Sequence, residues 1–136
     1  MEGLWQVEAA SGDFARFARS LREYEQVVID AAITKVLAVE GPAICESERG
    51  KALGRGLYEF RIRKSLDAIL KTRGEAQMRG GKRPVLLRTF CAFERGRVVL
   101  LLGGYDKGKD SSGSRQQREI AAARRVLAEW NRKQGP

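Results

Sequence analysis

Apolar residues along this chain fall into two registers, one helical and one extended. Phe14, Phe17, Ala18 and Leu21 recur at three- and four-residue spacing, and Tyr24, Val27, Val28, Ala31 and Ala32 continue the pattern. Ser11-Gly12-Asp13 stands just ahead, with side-chain oxygens suited to accept from the unpaired first N–H groups of a helix. Ile29, Ile33, Val36 and Leu37 widen the stripe. Gly41-Pro42 ends it, because proline has no N–H for the next helical bond. This stretch predicts two helices, or one bent helix. Leu57–Arg63 alternates instead, with Tyr58, Phe60 and Ile62 on one face and Glu59, Arg61 and Arg63 on the other. That period predicts a half-buried strand whose second face is charged.

Val85–Phe93 and Arg97–Tyr105 are β-rich runs joined by Glu94-Arg95-Gly96, a hairpin by length and composition. The continuous run Val98–Leu102 predicts a central strand covered on both faces. Leu4–Ala9 reads as a short first strand, with Trp5 to pin it. Ile120, Ala123, Leu127 and Trp130 mark the apolar side of a final helix. Glu46–Gly56 and Asp106–Ser114 are polar and glycine- or serine-rich, and read as loops. Lys64–Pro84 is a basic interruption with one short helix around Leu66, Ile69 and Leu70 before Gly74 and Gly80-Gly81 break it. The resulting order, β-α-α-β-β-β-α, describes an α+β domain: a small, mostly antiparallel sheet packed by N-terminal helices and a C-terminal helix.

Composition narrows the chemistry. The 136 residues fit a single domain, 1–136, with the basic insertion at about 64–84. Residues 1–46 carry four basic and eight acidic side chains, a net of −4, whereas residues 47–136 carry 22 and nine, a net of +13. Such lopsided charge favours polyanions. No stretch approaches the roughly 18–20 apolar residues of a membrane span. No basic-then-apolar leader is visible either, so a cytoplasmic protein without a membrane partner is expected. Cys45 and Cys91 match no metal-ligand spacing, and no metal or cofactor is expected. The chain has no histidine. Imidazole-based acid–base and nucleophile systems are therefore excluded, which leaves Arg, Lys, Tyr, Asp and Glu.

The segment Leu53–Arg63 (LGRGLYEFRIR) resembles the phage-derived Gp49-like (HigB-like) group of the RelE/ParE toxin superfamily. The likeness continues in order through Val85–Phe93, centred on Arg88, then Val98–Lys109 (VVLLLGGYDKGK) and Glu119–Leu127 (EIAAARRVL). Two features depart from the family pattern: the long 64–84 segment, and Gly103 where a histidine often stands. The resemblance implies a RelE-like fold and a type II toxin. Such a toxin is a ribosome-dependent mRNA endonuclease whose partners are the ribosome, mRNA and a cognate antitoxin, the last expected to be acidic or a helix-turn-helix protein. In RelE-like cleavage the ribose 2′-oxygen attacks the neighbouring phosphorus, often with Arg, Lys and Tyr as the working groups. Two alternatives stand beside it, a ParE-like inhibitor of DNA gyrase and a non-catalytic RNA-binding remnant of a toxin.

On this resemblance Arg61, Arg88 and Lys107 form the candidate catalytic set. Arg61 lies on the polar strand face, where a guanidinium would grip phosphate. Arg88 interrupts an apolar strand, so it either faces a site or meets a structural carboxylate. Lys107 serves as a base only if neighbouring positive charge or burial lowers its pKa. Arg63, Tyr105, Lys109, Arg115 and Arg118 are the candidate RNA contacts, Tyr105 either stacking on a base or packing into the core.

Overall fold

A computed structural model describes residues 4–63, 65, 68–69 and 84–134. The elements run β1 (Gln6–Ala9), α1 (Asp13–Ser20), α2 (Glu23–Ala32), β2 (Gly50–Gly54), β3 (Leu57–Ile62), β4 (Leu87–Glu94), β5 (Val98–Asp106) and α3 (Gly113–Gln134). After α2 the helical path continues through a wider π turn, Ile33–Leu37, a last α turn, Ala38–Glu40, and a 3-10 segment, Gly41–Glu46, with proline in its first turn. The predicted helical stretch is thus two helices, the second of them prolonged. The short helix expected around Leu66 to Leu70 falls mostly outside the described residues. Among the described residues no helix is long and apolar enough to cross a membrane.

The strands form one sheet in the order β1-β5-β4-β3-β2, with β1 parallel to β5 and every other pair antiparallel. The fold is α+β, as the periodicity predicts. α1, α2 and the π turn cover one face, where Leu21, Val28, Leu37, Phe60, Cys91 and Val99 close a core. α3 covers the other, through Ala123 and Leu127 against Leu57, Phe90, Leu100 and Leu102. β5 lies inside the sheet between β1 and β4, so the run Val98–Leu102 is apolar toward both layers. Trp5 meets Phe93 edge-on at 5.5 Å and packs so closely on Gly41 that a Cβ there would lie 2.4 Å from the indole nitrogen. At the same end of β4, Trp130 donates from its indole N–H to Glu94 Oε1 at 3.0 Å, tying α3 to the strand.

Two expectations are corrected. Glu46–Gly56 is not all loop, since Gly50–Gly54 forms β2 and pairs with β3 through a turn in which Gly54, Arg55 and Gly56 all have positive φ. β2 is an edge strand with Lys51 and Ala52 exposed, so no hydrophobic alternation announces it. Nor is β3 half-buried with a solvated polar side. α3 covers that side too, and Glu59 is completely buried.

A one-residue bulge in β5 decides which layer its end serves. Cys91 pairs with Leu101, but Phe90 pairs with Gly103, so Leu102 is extra. Gly103 takes φ +140°, a conformation L side chains rarely adopt. Past the bulge the alternation is inverted: Tyr105 joins Leu100 and Leu102 on the α3 side, while Gly104 lies against Phe17 of α1. A Cβ on Gly104 would come within 2.5 Å of both the Arg88 carbonyl oxygen and the Phe17 ring. Gly104→Ala should therefore cost about 1–3 kcal/mol through overpacking against backbone. Urea unfolding measures this, and a midpoint equal to that of the wild type would contradict the packing.

Candidate nucleic-acid interface

The polar residues of β3, β4 and β5 that face α3 lie in one row. Arg61 of β3 pairs with Arg88 of β4, which pairs in turn with Tyr105 of β5. Two guanidinium groups directly opposite each other repel. The counter-charge is Glu59, two residues earlier on the same face of β3. Its Oε1 accepts from Arg61 Nε at 2.9 Å and lies 3.8 Å from Arg88 Nε, an ion pair too long for a hydrogen bond. Its Oε2 accepts from Gln116 Nε2 of α3 at 3.4 Å. One carboxylate thus faces two cations beneath a helix.

Burial divides the row. Arg88 is 1% exposed, whereas the Arg61 side chain keeps 21% of its surface in solvent. Arg88 Nε and Nη1 and the Tyr105 hydroxyl are buried and lack a hydrogen-bond partner among the described residues. Burial holds the pKa of Arg88 below the usual arginine value, with Glu59 opposing and Arg61 and Arg63 reinforcing. Lys107 is half-buried and sits two residues beyond Tyr105 on β5's continuation. Its pKa is also lowered, first by the charge of Arg88 and then by burial, so it gives up its proton more readily than an ordinary lysine.

The other candidates separate. Tyr105 is 1% exposed, stacked on Phe90 at 6.2 Å and covered by the Arg115 guanidinium at 5.3 Å from its ring centre. Its ring offers no free face to a base, so it belongs to the core. Burial, followed by Glu59, pushes its phenol pKa up. Arg115 is engaged with Glu119 at 2.7 Å and Asp110 at 4.0 Å. Arg118 is exposed on α3, whereas Arg63 is exposed just past β3 and Lys109 in the loop after β5. Arg88 meets a structural carboxylate and is buried, which leaves Arg61 and Lys107 as the members of the candidate catalytic set with surface in solvent. Sequence reasoning missed Glu59 and Gln116. The Glu59-x-Arg61 spacing put both on one face, but nothing local marked that face as covered. Among the described residues no group of three or more Cys, Asp or Glu is placed to hold a metal ion.

Two outcomes follow from this geometry. Glu59→Gln strands Arg88 without its counter-charge and should cost about 3–5 kcal/mol in urea unfolding, the usual penalty for breaking a buried pair. Adding Arg88→Met should restore most of that loss, and the absence of rescue would contradict the pairing. Because the folded chain holds the Lys107 proton less tightly than the unfolded chain, the unfolded state binds more protons between the two pKa values. The stability of the wild type relative to Lys107→Met should therefore rise with pH from the lowered pKa of Lys107 up to the ordinary lysine value. A flat difference across that alkaline window would contradict the effect of Arg88.

Comparison with protein-family models, with curated proteins and with solved structures returns no match, so the chemistry of this site rests on its own geometry.

Proposed function

We propose that this chain is the toxin of a type II toxin–antitoxin pair, a ribosome-dependent endonuclease that cuts mRNA and so stops translation. The single observation behind this reading is the buried charge of Arg88, flanked by the accessible Arg61 and by Lys107, whose proton affinity Arg88 lowers. A partly exposed guanidinium with a lysine whose pKa neighbouring positive charge lowers is a workable pair for phosphodiester chemistry without imidazole.

In this scheme Arg61 grips the non-bridging phosphate oxygens. Lys107, once deprotonated, takes the proton of the ribose 2′-hydroxyl as the 2′-oxygen bonds to phosphorus. The bond from phosphorus to the 5′-oxygen breaks, and that oxygen takes a proton from water, leaving a 2′,3′-cyclic phosphate and a free 5′-hydroxyl. Arg88 is a positioning residue, tuning Lys107 and fixing Glu59 without touching RNA. An antitoxin of acidic or helix-turn-helix type would cover the same basic face, and the cytoplasm, where ribosomes work, is the setting.

A second reading, a non-catalytic RNA-binding remnant, is favoured by one specific fact: Glu59 already engages Arg61 Nε at 2.9 Å. Inducing the full chain without its antitoxin, with pulse-labelling of protein, RNA and DNA synthesis, separates the possibilities. Early loss of protein synthesis with new mRNA ends is expected. Arg61→Ala and Lys107→Ala should each reduce cleavage by about a hundredfold or more, the scale of a lost transition-state contact. Earlier loss of DNA synthesis would indicate gyrase instead. Retained RNA binding without cleavage would indicate the remnant.

A further inference from the structure

A second cleft, of about 540 Å³, opens where β3 and β5 run out. Three cations from distant parts of the chain line it: Arg22, just before α2; Arg63, just past β3; and Lys109, in the loop after β5. All three are exposed. Pro84, Val85 and Leu86, leading into β4, supply an apolar wall. Two carboxylates also line the cleft, and both are engaged with backbone. Glu25 accepts from the Arg22 N–H at 3.0 Å, and Asp106 Oδ1 accepts from the Gly108 N–H at 2.9 Å. Among the described residues none of the three cations is joined to a carboxylate by an ion pair.

An apolar wall ringed by uncommitted cations suits a nucleotide, with a base on the wall and phosphate on the guanidinium and ammonium groups. The volume falls within the range of about 300–1,000 Å³ typical of small-ligand sites. Arg63 links this cleft to the arginine row, since its charge bears on both Arg88 and Lys107. We propose that the cleft is a nucleotide subsite for single-stranded RNA, seating the nucleotide beside the scissile phosphate with its base on Pro84–Leu86 and its phosphate on Arg22, Arg63 and Lys109. The subsite rests on the RNA reading above. It adds Arg22, a cation from the net-acidic N-terminal third.

The test is equilibrium binding of the full chain to a fluorescein-labelled single-stranded hexaribonucleotide with 2′-O-methyl riboses, which cannot be cleaved, read by anisotropy across a salt series. Arg22→Gln and Lys109→Gln should each weaken binding about three- to tenfold and reduce the log–log salt slope by about 0.7 per lost phosphate contact. Arg125→Gln, on the exposed surface of α3, should stay within about twofold of wild type, since that charge does not line the cleft. If Arg22→Gln disturbs the entry to α2, Lys109→Gln in its exposed loop carries the test alone. Arg22 and Lys109 variants that bind like wild type while Arg61→Gln still weakens binding overturn the subsite and leave the RNA reading standing. Failure of the wild type to bind overturns the subsite, whereas the ribosome-dependent reading stands or falls by the pulse-labelling. A pentaglutamate peptide that displaces the RNA at equal concentration overturns the nucleotide assignment in favour of an acidic protein.

Discussion

The structure turns on one carboxylate. Glu59 is fully buried between two arginines that the strand register places opposite each other. Without it, the β3–β4 pairing would hold like charges face to face in a water-poor layer, a costly arrangement. With it, Arg61 gains a hydrogen bond, Arg88 gains a counter-charge, and Gln116 draws the start of α3 onto the sheet. A net positive charge remains, because one carboxylate does not balance both guanidinium groups. That residual charge is what lowers the proton affinity of Lys107. Stability and candidate chemistry therefore share the same atoms.

The bulge in β5 complements this arrangement. Had the alternation continued unbroken, Tyr105 would point toward α1 and the row Arg61-Arg88-Tyr105 would lose its third member. Gly103 permits the inversion through its φ of +140°, and Gly104 admits the Phe17 ring where any Cβ would collide. The two glycines do different work: one supplies a backbone conformation, the other supplies space. The Gly-Gly-Tyr sequence is thus a structural device that aims the last third of β5 at α3.

Much of the architecture was legible in local pattern. The helical stripes from Phe14 to Leu37, the hairpin around Arg95 and the amphipathic final helix all emerged where the periodicity put them. β2 did not, because an edge strand with both sides near solvent has no alternation to read. The candidate site was legible as a set of residue types but not as an arrangement. Arg88 was recognisable as a charge out of place in an apolar β-rich run, and Arg61 as a charge on the polar face of an alternating strand. Whether Arg88 met solvent or a carboxylate depended on Glu59 and on the helix above it. Tyr105 could stack on a base or, as aromatics ending a strand more often do, pack into the core, and its burial between Phe90 and Arg115 decided for packing.

The amino-acid sequence by itself determined the types of the elements other than β2, the α+β character and the concentration of positive charge after residue 46, since these depend on periods of two and 3.6 residues and on composition. The tertiary structure alone decided the burial of Glu59, its pairing with Arg88 and the convergence of Arg22 with Arg63 and Lys109. The physical reason is range. Gln116 lies 57 positions from the carboxylate it contacts, and the dielectric and charge environment of a side chain is set by such distant covering groups rather than by its neighbours in the chain.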